Sequence, residues 1–228
     1  MIKQPKNFMI FAHPRCGSSQ LTNILNLNEI ITLYEPFAAR RYERKYQNIM
    51  EKYDLKTTIN HIFQKYQGFK QDCLHLQYQQ NIQLITSYPT IFIYRNNITN
   101  TVLSHQTATR TNIWHKEQTN EKNYIKQIEI IPKKFLEDVQ KFSHMISIYK
   151  SQVKDHIEVQ YEELYGENGY QHLERIFEFI KKRIKNPEKS KKMLSPEHKL
   201  NSTPWQQFVV NWNDIEKIIQ ENNLQMPN

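Results

Sequence analysis

The sequence predicts an α/β fold in which a central, mainly parallel β-sheet is flanked by helices. The run at 8–12 is apolar and bounded by turn-forming residues, which is typical of a buried parallel strand. The run at 90–95 is β-branched and aromatic, and a third short strand is expected at 157–161. A stretch with the apolar spacing of a helix follows each run. Strands that alternate with helices favour a parallel sheet, and a length of 228 residues suits a single domain over 1–228.

Polar residues at the ends of these runs indicate where two of the helices begin. After the first run we expect Ser18 or Ser19 to cap a helix N-terminus, and after the second run Asn96 or Asn97 can do the same. The capping residues therefore mark two strand–loop–helix units.

Four further segments complete the prediction of secondary structure. The spacing predicts two helices over 42–66, one helix over 132–153 that begins at a proline, and a last helix after 204. The segment 185–204 is polar, contains three prolines and has no apolar period. We therefore expect a long loop there, and loops of that length are usually functional or disordered.

Charge and cysteine content restrict the class of partner and the compartment. With 31 Lys and Arg against 23 Asp and Glu, the formal charge is +8, which favours anionic partners such as nucleotides. Cys16 and Cys73 are too few for a disulfide framework. No apolar stretch has the length of a signal-peptide core or a membrane span. The predicted localisation is the cytoplasm, with both thiols reduced.

The loop after the first run, 13–19, has the composition of an anion site. A loop that leaves a buried strand and enters a helix presents unpaired backbone N–H groups, and the helix dipole adds partial positive charge. Arg15 adds a fixed cation, Gly17 permits close approach of the backbone, and the hydroxyls of Ser18 and Ser19 can donate hydrogen bonds. The alternative is a tight turn with a capping serine.

Several phosphate-handling motifs are absent from the chain. Its four glycines form neither G-x-x-x-x-G-K-S/T nor G-x-G-x-x-G, which argues against a Walker A kinase and a dinucleotide-binding domain. A phosphatase that used Cys16 would need an arginine six residues later, where Thr22 stands. The Cys16 thiol is therefore not expected to take part in the chemistry.

Three segments carry a resemblance to a known family. "HPRCGSSQLTNILN" resembles the 5′-phosphosulfate loop of PAPS-dependent sulfotransferases. The resemblance is to the bacterial and viral branch, in which this loop has the sequence Arg-x-Gly-Ser-Ser. "YRNNITNTVLSHQTA" is similar to the family's 3′-phosphate motif, and "QYEEL" to its turn near the adenine. The three occur in the family's order, each at a predicted strand end. The resemblance implies the P-loop-like sulfotransferase fold, with PAPS as sulfuryl donor and PAP as product.

The resemblance also implies site residues. The cofactor-binding set is Arg15, Cys16, Gly17, Ser18, Ser19, Gln20, Arg95, Ser104 and Tyr161. "LYEPF" resembles a segment of the same branch whose glutamate is the proposed general base, which implies catalytic roles for Glu35 and for Arg15. A charge near the start of a helix is the alternative reading of Glu35. The rival bases are His61, His75, His105 and His115.

The residues leave three functions open. The first is transfer of a sulfuryl group to the hydroxyl of a carbohydrate, a lipid or another small molecule, which demands no metal; the histidines show no H-E-x-x-H motif or Cys/His cluster of zinc spacing. The second is a binding module for a nucleotide, a nucleic acid or a sulfated glycan, although no RNP-type or helix-turn-helix motif supports nucleic acid. The third is a small-molecule kinase with a degenerate P-loop. The loop at 189–204 is expected either to close over the nucleotide or to be a solvated basic loop.

Overall fold

The computed structural model describes residues 7–38, 45–114, 127–195 and 204–227, and these ranges contain five strands and eleven helices. The strands are β1 (Phe8–Ala12), β2 (Thr32–Tyr34), β3 (Gly68–Asp72), β4 (Thr90–Tyr94) and β5 (His156–Gln160). The helices are α1 (Ser18–Leu27), α2 (Lys45–Lys52), α3 (Leu55–Phe63), α4 (Tyr78–Ser87), α5 (Ile98–Thr111), α6 (Pro132–Gln152), α7 (Tyr161–Leu164), α8 (Gly169–Phe179), α9 (Pro187–Leu194), α10 (Trp205–Phe208) and α11 (Trp212–Glu221).

The five strands form one sheet in the order β2-β3-β1-β4-β5, and every pairing is parallel. Ala12 at the end of β1 is level with Asp72 of β3 and with Ile93 of β4, so these strands have their carboxyl ends at one edge. The chain places β2 and β3 on one side of β1, and β4 and β5 on the other. In open parallel sheets, ligands bind outside the carboxyl ends at such a change of direction.

The central strand β1 is fully buried because both of its faces are apolar. Phe8, Ile10 and Ala12 belong to a core cluster with the apolar side chains of α1 and α8. On the alternate positions, the ring of Phe11 packs edge-on against that of Tyr149, with centroids 4.9 Å apart. A strand covered on both faces reads as a continuous apolar run, which explains why its position is clear in the sequence.

The α/β prediction with a parallel central sheet is confirmed. The first predicted strand has the predicted bounds, the second ends one residue early at Tyr94, and the third begins one residue early at His156. Asn97 caps α5 by accepting a hydrogen bond from the Asn100 N–H at 2.9 Å. The capping prediction for α1 is wrong, because left-handed Gly17 occupies the N-cap and the two serines are the first helical residues.

The helix predictions at 132–153 and, where the structure describes it, at 42–66 are confirmed by α6 and by α2 with α3. The prediction of a single last helix is wrong. The chain forms α10 and α11, because Val209, between them, instead takes part in an isolated bridge to Ile128.

The prediction of a long loop at 185–204 is also wrong, because α9 occupies its first half. Pro187 opens the helix, where its fixed φ and missing N–H suit the first turn. The helix buries Ser190 and Leu194. Too few apolar residues lie on this short helix to show a period, so its stability comes from contacts with α1 and α8. Residues 196–203 lie outside the described part of the chain.

The chain divides into two compact units, one of 1–94 with 148–196 and one of 95–147 with 197–228. The first contains the whole sheet. The second has its own core, built from apolar residues of α5, α6, α10 and α11 together with Ile128 and Ile130. Within the described residues no helix is both long enough and apolar enough to cross a membrane. The single-domain assignment stays a prediction.

Candidate functional site

The loop between β1 and α1 turns sharply through two left-handed residues. Arg15 has φ 66° and Gly17 has φ 80°, a region that L-residues other than glycine seldom adopt. The turn brings the N-terminus of α1 to the carboxyl edge of the sheet, directly after β1. The strand–loop–helix arrangement is therefore the predicted one. Backbone N–H groups at a helix N-terminus can bind an anion, and this role of the loop stays a prediction.

Two tyrosines fix the loop at Gly17. A Cβ atom at this position would lie 2.4 Å from Cε2 of Tyr165 and 2.9 Å from Cδ2 of Tyr161. The Tyr165 hydroxyl donates a hydrogen bond to the Gly17 carbonyl at 2.7 Å, and burial raises the pKa of Tyr165 well above its ordinary value. Tyr165 is therefore a neutral, permanent donor. Tyr161, predicted to lie near an adenine, lies against the loop, with its ring centroid 4.9 Å from that of Tyr165.

The thiol of Cys16 points into the protein. It is fully buried, and its Sγ donates a hydrogen bond to the His13 carbonyl at 3.0 Å. Burial raises the pKa of the thiol to about 11. A thiol that stays protonated at neutral pH is a poor nucleophile, which agrees with the expectation that its side chain does no chemistry.

The next three residues of the loop motif have different surroundings. Ser18 is buried, and its carbonyl accepts a hydrogen bond from the Thr22 hydroxyl. The Ser19 hydroxyl accepts a hydrogen bond from the ammonium of Lys70 at 3.0 Å. The Gln20 amide donates to the Met193 carbonyl at 2.9 Å, so its side chain links α1 to α9. A cofactor-binding role for Gln20 stays a prediction.

Lys70, which the sequence reasoning did not identify, is a charged residue in the middle of a buried strand. Its side chain is 5% exposed, and its Nζ lies 2.5 Å from Oε1 of Glu35 and 4.7 Å from the ring centroid of Tyr34. Burial alone lowers the pKa of the ammonium, but Tyr34 and Glu35 outweigh that effect and the pKa is raised. Lys70 is therefore a permanent cation beside the loop.

Glu35 directly follows β2 and adopts a left-handed conformation with φ 41°. Its backbone N–H donates to the Lys70 carbonyl at 3.1 Å, which extends the pairing of β2 with β3 by one bond. Its carboxylate, 14% exposed, therefore lies beside the Lys70 ammonium. The structure thus brings the predicted base and the predicted loop together through a residue that neither motif contains.

A second carboxyl group, that of Asp72, lies two residues after Lys70 on β3. Asp72 is buried at the end of β3, and its Oδ1 accepts a hydrogen bond from the Leu74 N–H at 2.9 Å. Burial raises the pKa of Asp72, although His75, this N–H and Lys70 oppose the shift. The carboxyl edge of β3 therefore carries one ammonium and one buried acid. No short-range pattern in "GFKQD" predicts that the charged side chains of Lys70 and Asp72 are buried here.

The predicted 3′-phosphate residues lie in the second unit. Arg95 directly follows β4 in the chain, and Ser104 is buried on α5. Asn97 caps α5, the helix that carries Ser104, which makes the segment a second strand–loop–helix unit. The assignment of Arg95 and Ser104 to a phosphate stays a prediction.

The rival histidines differ in their surroundings. The His105 ring packs edge-on against Trp114 and Phe142, with centroids 5.8 and 5.5 Å away. His61 lies near the ring of Tyr53, at 6.4 Å, and His75 neighbours Asp72. His115 lies outside the described residues, as do 196–203 of the predicted closing loop.

Comparison with known proteins shows the fold. No family model matches the chain, and no curated protein matches it. Among solved structures, it is similar to the crystal structure of mouse sulfotransferase SULT7A1 complexed with PAP, with a TM-score of 0.53 and 13% identity. The match covers 94% of this chain and 75% of the other. The chain therefore has a sulfotransferase-like α/β fold.

Proposed function

We propose that the protein is a sulfotransferase that uses PAPS and transfers its sulfuryl group to a hydroxyl of an acceptor. The observation that carries the proposal is the cluster at the carboxyl edge of the sheet. There Lys70 lies within hydrogen-bond distance of both Ser19 in the anion-binding loop and Glu35. An anion site next to a carboxylate that can take a proton is what transfer from an anionic donor to a hydroxyl requires.

The described residues fit the 5′ end of such a nucleotide. The N-terminal N–H groups of α1, the Ser19 hydroxyl and the cation of Arg15 provide donors and positive charge for a phosphosulfate. Because Tyr161 and Tyr165 leave no room for a Cβ at Gly17, the loop is held in the shape that exposes these groups. Arg95 and Ser104 would hold a 3′-phosphate, a proposal that rests on the order and spacing of the motifs.

The bound donor supplies a sulfuryl group attached to a good leaving group, the 5′-phosphate of PAP. The protein's own part is positioning and charge stabilisation, by analogy with phosphoryl transfer. Arg15 and the loop N–H groups stabilise the charge that grows on the leaving oxygen. Glu35 accepts the proton that the acceptor hydroxyl releases as its oxygen bonds to sulfur.

Binding measurements separate the proposal from the two alternatives. Isothermal titration with PAP, ATP and single-stranded RNA should show tight binding of PAP alone. A screen of carbohydrates, lipids and phenols with labelled PAPS should then identify the acceptor by transfer of the label. Preference for ATP would instead indicate a kinase, and binding of RNA without PAP would indicate a nucleic-acid module.

A further inference from the structure

The ammonium of Lys70 is shared between two elements that the proposed reaction uses separately. Ser19 belongs to the loop that binds the donor, and Glu35 is the proposed base for the acceptor. Lys70 donates to Ser19 Oγ at 3.0 Å and to Glu35 Oε1 at 2.5 Å. No other ion pair of Lys70 occurs among the described residues. One buried cation therefore joins the donor side of the site to the acceptor side.

The charge of Lys70 is balanced mainly by Glu35. The titratable groups that face it are Tyr34 and Glu35 from the end of β2, Asp72 on its own strand, and Cys16 in the loop. The pKa of Cys16 is about 11, so this thiol is neutral at pH 7. Asp72 faces Lys70 on the same strand, but among the described residues the two form no ion pair. Since a buried charge requires a partner, the Glu35 carboxylate is the counter-ion of Lys70.

We propose, building on the function proposed above, that Lys70 is a positioning residue that couples donor binding at the loop to the basicity of Glu35. An anion that docks beside Ser19 places new negative charge next to the Lys70 ammonium. Glu35 then loses part of its counter-ion, so its carboxylate binds a proton more tightly. Glu35 thus becomes a stronger base only when the donor is in place.

Thermodynamic reciprocity gives this coupling a second consequence. If the anion raises the proton affinity of Glu35, then protonation of Glu35 strengthens anion binding by the same factor. Binding of a phosphate-bearing nucleotide should therefore take up a proton from solvent onto Glu35. This effect is measurable without knowledge of the acceptor.

The test follows the carboxyl carbon of Glu35 by NMR in protein labelled with ¹³C-glutamate, with Glu35→Gln used to assign the signal. In the wild-type protein, saturating PAP should move the titration midpoint of Glu35 upward by about one pH unit or more. In Lys70→Met, the midpoint should already be raised without nucleotide, and PAP should move it by less than about a third of the wild-type shift. Lys70→Arg keeps the charge and should retain most of the shift.

A natural control lies elsewhere in the same unit. Lys150 makes a similar set of contacts, to Glu158 at 2.6 Å and to the ring of Tyr94 at 5.0 Å, but its side chain is 43% exposed. Lys150→Met should therefore change neither the Glu35 midpoint nor its response to PAP. Thermal unfolding of each variant shows whether the fold is kept, and Lys70→Arg keeps the test decisive if Lys70→Met is unstable.

The outcomes separate this inference from the function on which it rests. If PAP binds and leaves the Glu35 midpoint unmoved, or moves it equally in Lys70→Met, the coupling is wrong and the sulfotransferase proposal stands. If PAP does not bind at all, both are wrong. A wild-type shift that Lys70→Met removes and Lys70→Arg retains is the expected result.

Discussion

The hydroxyl of Tyr165 donates a hydrogen bond to the carbonyl of Gly17 at 2.7 Å, across 148 residues of sequence. The ring of the same tyrosine occupies the space that a Cβ at Gly17 would need. The contact joins the loop after β1 to the residues that follow β5. The shape of the loop after β1 is therefore set by residues distant in the sequence as well as by its own turn.

Gly17→Ala should therefore destabilise the folded protein and distort the loop after β1. The substitution places a side chain at φ 80° and 2.4 Å from Tyr165; strain and overpacking of this kind each cost about 1 to 3 kcal/mol. We expect a fall of that order in the free energy of unfolding, measured with urea, and loss of PAP binding in calorimetry. Wild-type stability in this variant would contradict the described loop.

Tyr165→Phe is the matched control, because it keeps the ring and removes only the hydroxyl. The Gly17 carbonyl keeps its hydrogen bond from the Leu21 N–H at 3.1 Å. The free energy of unfolding should therefore fall by only about 0.5 to 1.5 kcal/mol. A loss as large as that of Gly17→Ala would show that the hydroxyl, and not the space beside Gly17, fixes the loop.

Asn28→Ala should be strongly destabilising. The buried Asn28 side chain accepts hydrogen bonds from the backbone N–H groups of Lys185 and Asn186, at 2.7 and 2.8 Å, and donates to Ser190 Oγ at 2.9 Å. Its loss removes these three hydrogen bonds, each of which contributes about 0.5 to 1.5 kcal/mol. Urea unfolding should therefore show a loss of about 1.5 to 4.5 kcal/mol.

Asn222→Ala serves as the comparison for Asn28→Ala. The Asn28 amide also donates to the Ile24 carbonyl at 2.8 Å. Asn222 likewise donates to the carbonyl four residues earlier, at 2.9 Å, but it is exposed. We expect a change within about 0.5 kcal/mol. Equal effects at the two positions would mean that the hydrogen bonds of Asn28 to the start of α9 contribute little.

The parts of the fold that the sequence predicts are those with a local signal. β1 is apolar throughout, β4 is β-branched and aromatic throughout, and Asn97 is a capping residue next to a helix with regular spacing. The strand, turn and helix around 13–19 were predicted for the same reason, because they are contiguous. A strand–loop–helix unit built from one segment can be recognised without knowledge of the tertiary structure, while its role as an anion site stays a prediction.

β3 has no such signal, because its burial depends on distant partners. The strand "GFKQD" contains three polar residues, all of them buried. Lys70 is stabilised by Glu35, and the Gln71 amide donates to the Asp72 carbonyl at 2.8 Å. A short polar segment has the same sequence pattern whether it forms an exposed loop or a buried strand whose polar groups are paired. Only the tertiary structure, which shows the partners, distinguishes the two. For that reason the sequence gives no indication that Lys70 is buried beside Glu35.

The stability of the protein should depend on Cys16 at alkaline pH. The ordinary pKa of the thiol is 9.0, and burial raises it to about 11 in the folded protein. The unfolded chain therefore loses this proton first as the pH rises. The contribution of Cys16 to the free energy of unfolding is fully present below pH 9 and is lost as the pH rises through 11. The total loss is about 2 to 3 kcal/mol.

Cys16→Ala isolates this effect from the other groups that titrate between pH 9 and 11. Urea unfolding of both proteins at several pH values should show a steeper fall for the wild type. The thiol should also react slowly with iodoacetamide at pH 8 until the protein is unfolded. Parallel stability curves, or fast labelling of the native Cys16, would show that the thiol is accessible.

Arg95→Ala should remove the preference for a nucleotide with two phosphate groups. If Arg95 holds the 3′-phosphate, PAP should raise the melting temperature of the wild-type protein more than AMP does, and the two nucleotides should act alike on the variant. A charge-assisted hydrogen bond of this kind contributes about 1.5 to 3 kcal/mol. Equal shifts for AMP and PAP in the wild type would contradict the assignment. Arg110→Ala, at an exposed position on α5, is the control.

Glu35→Gln tests the proposed base. The glutamine keeps the shape of the side chain and an oxygen that can accept the hydrogen bond from Lys70, but it cannot take a proton. General-base catalysis typically contributes about 100-fold to 10,000-fold, so turnover with a verified acceptor should fall within that range. PAP affinity should change far less, because the base acts on the acceptor hydroxyl. Turnover close to that of the wild type would place the base elsewhere, and the buried Asp72, on the same edge of the sheet, would then be the next residue to change.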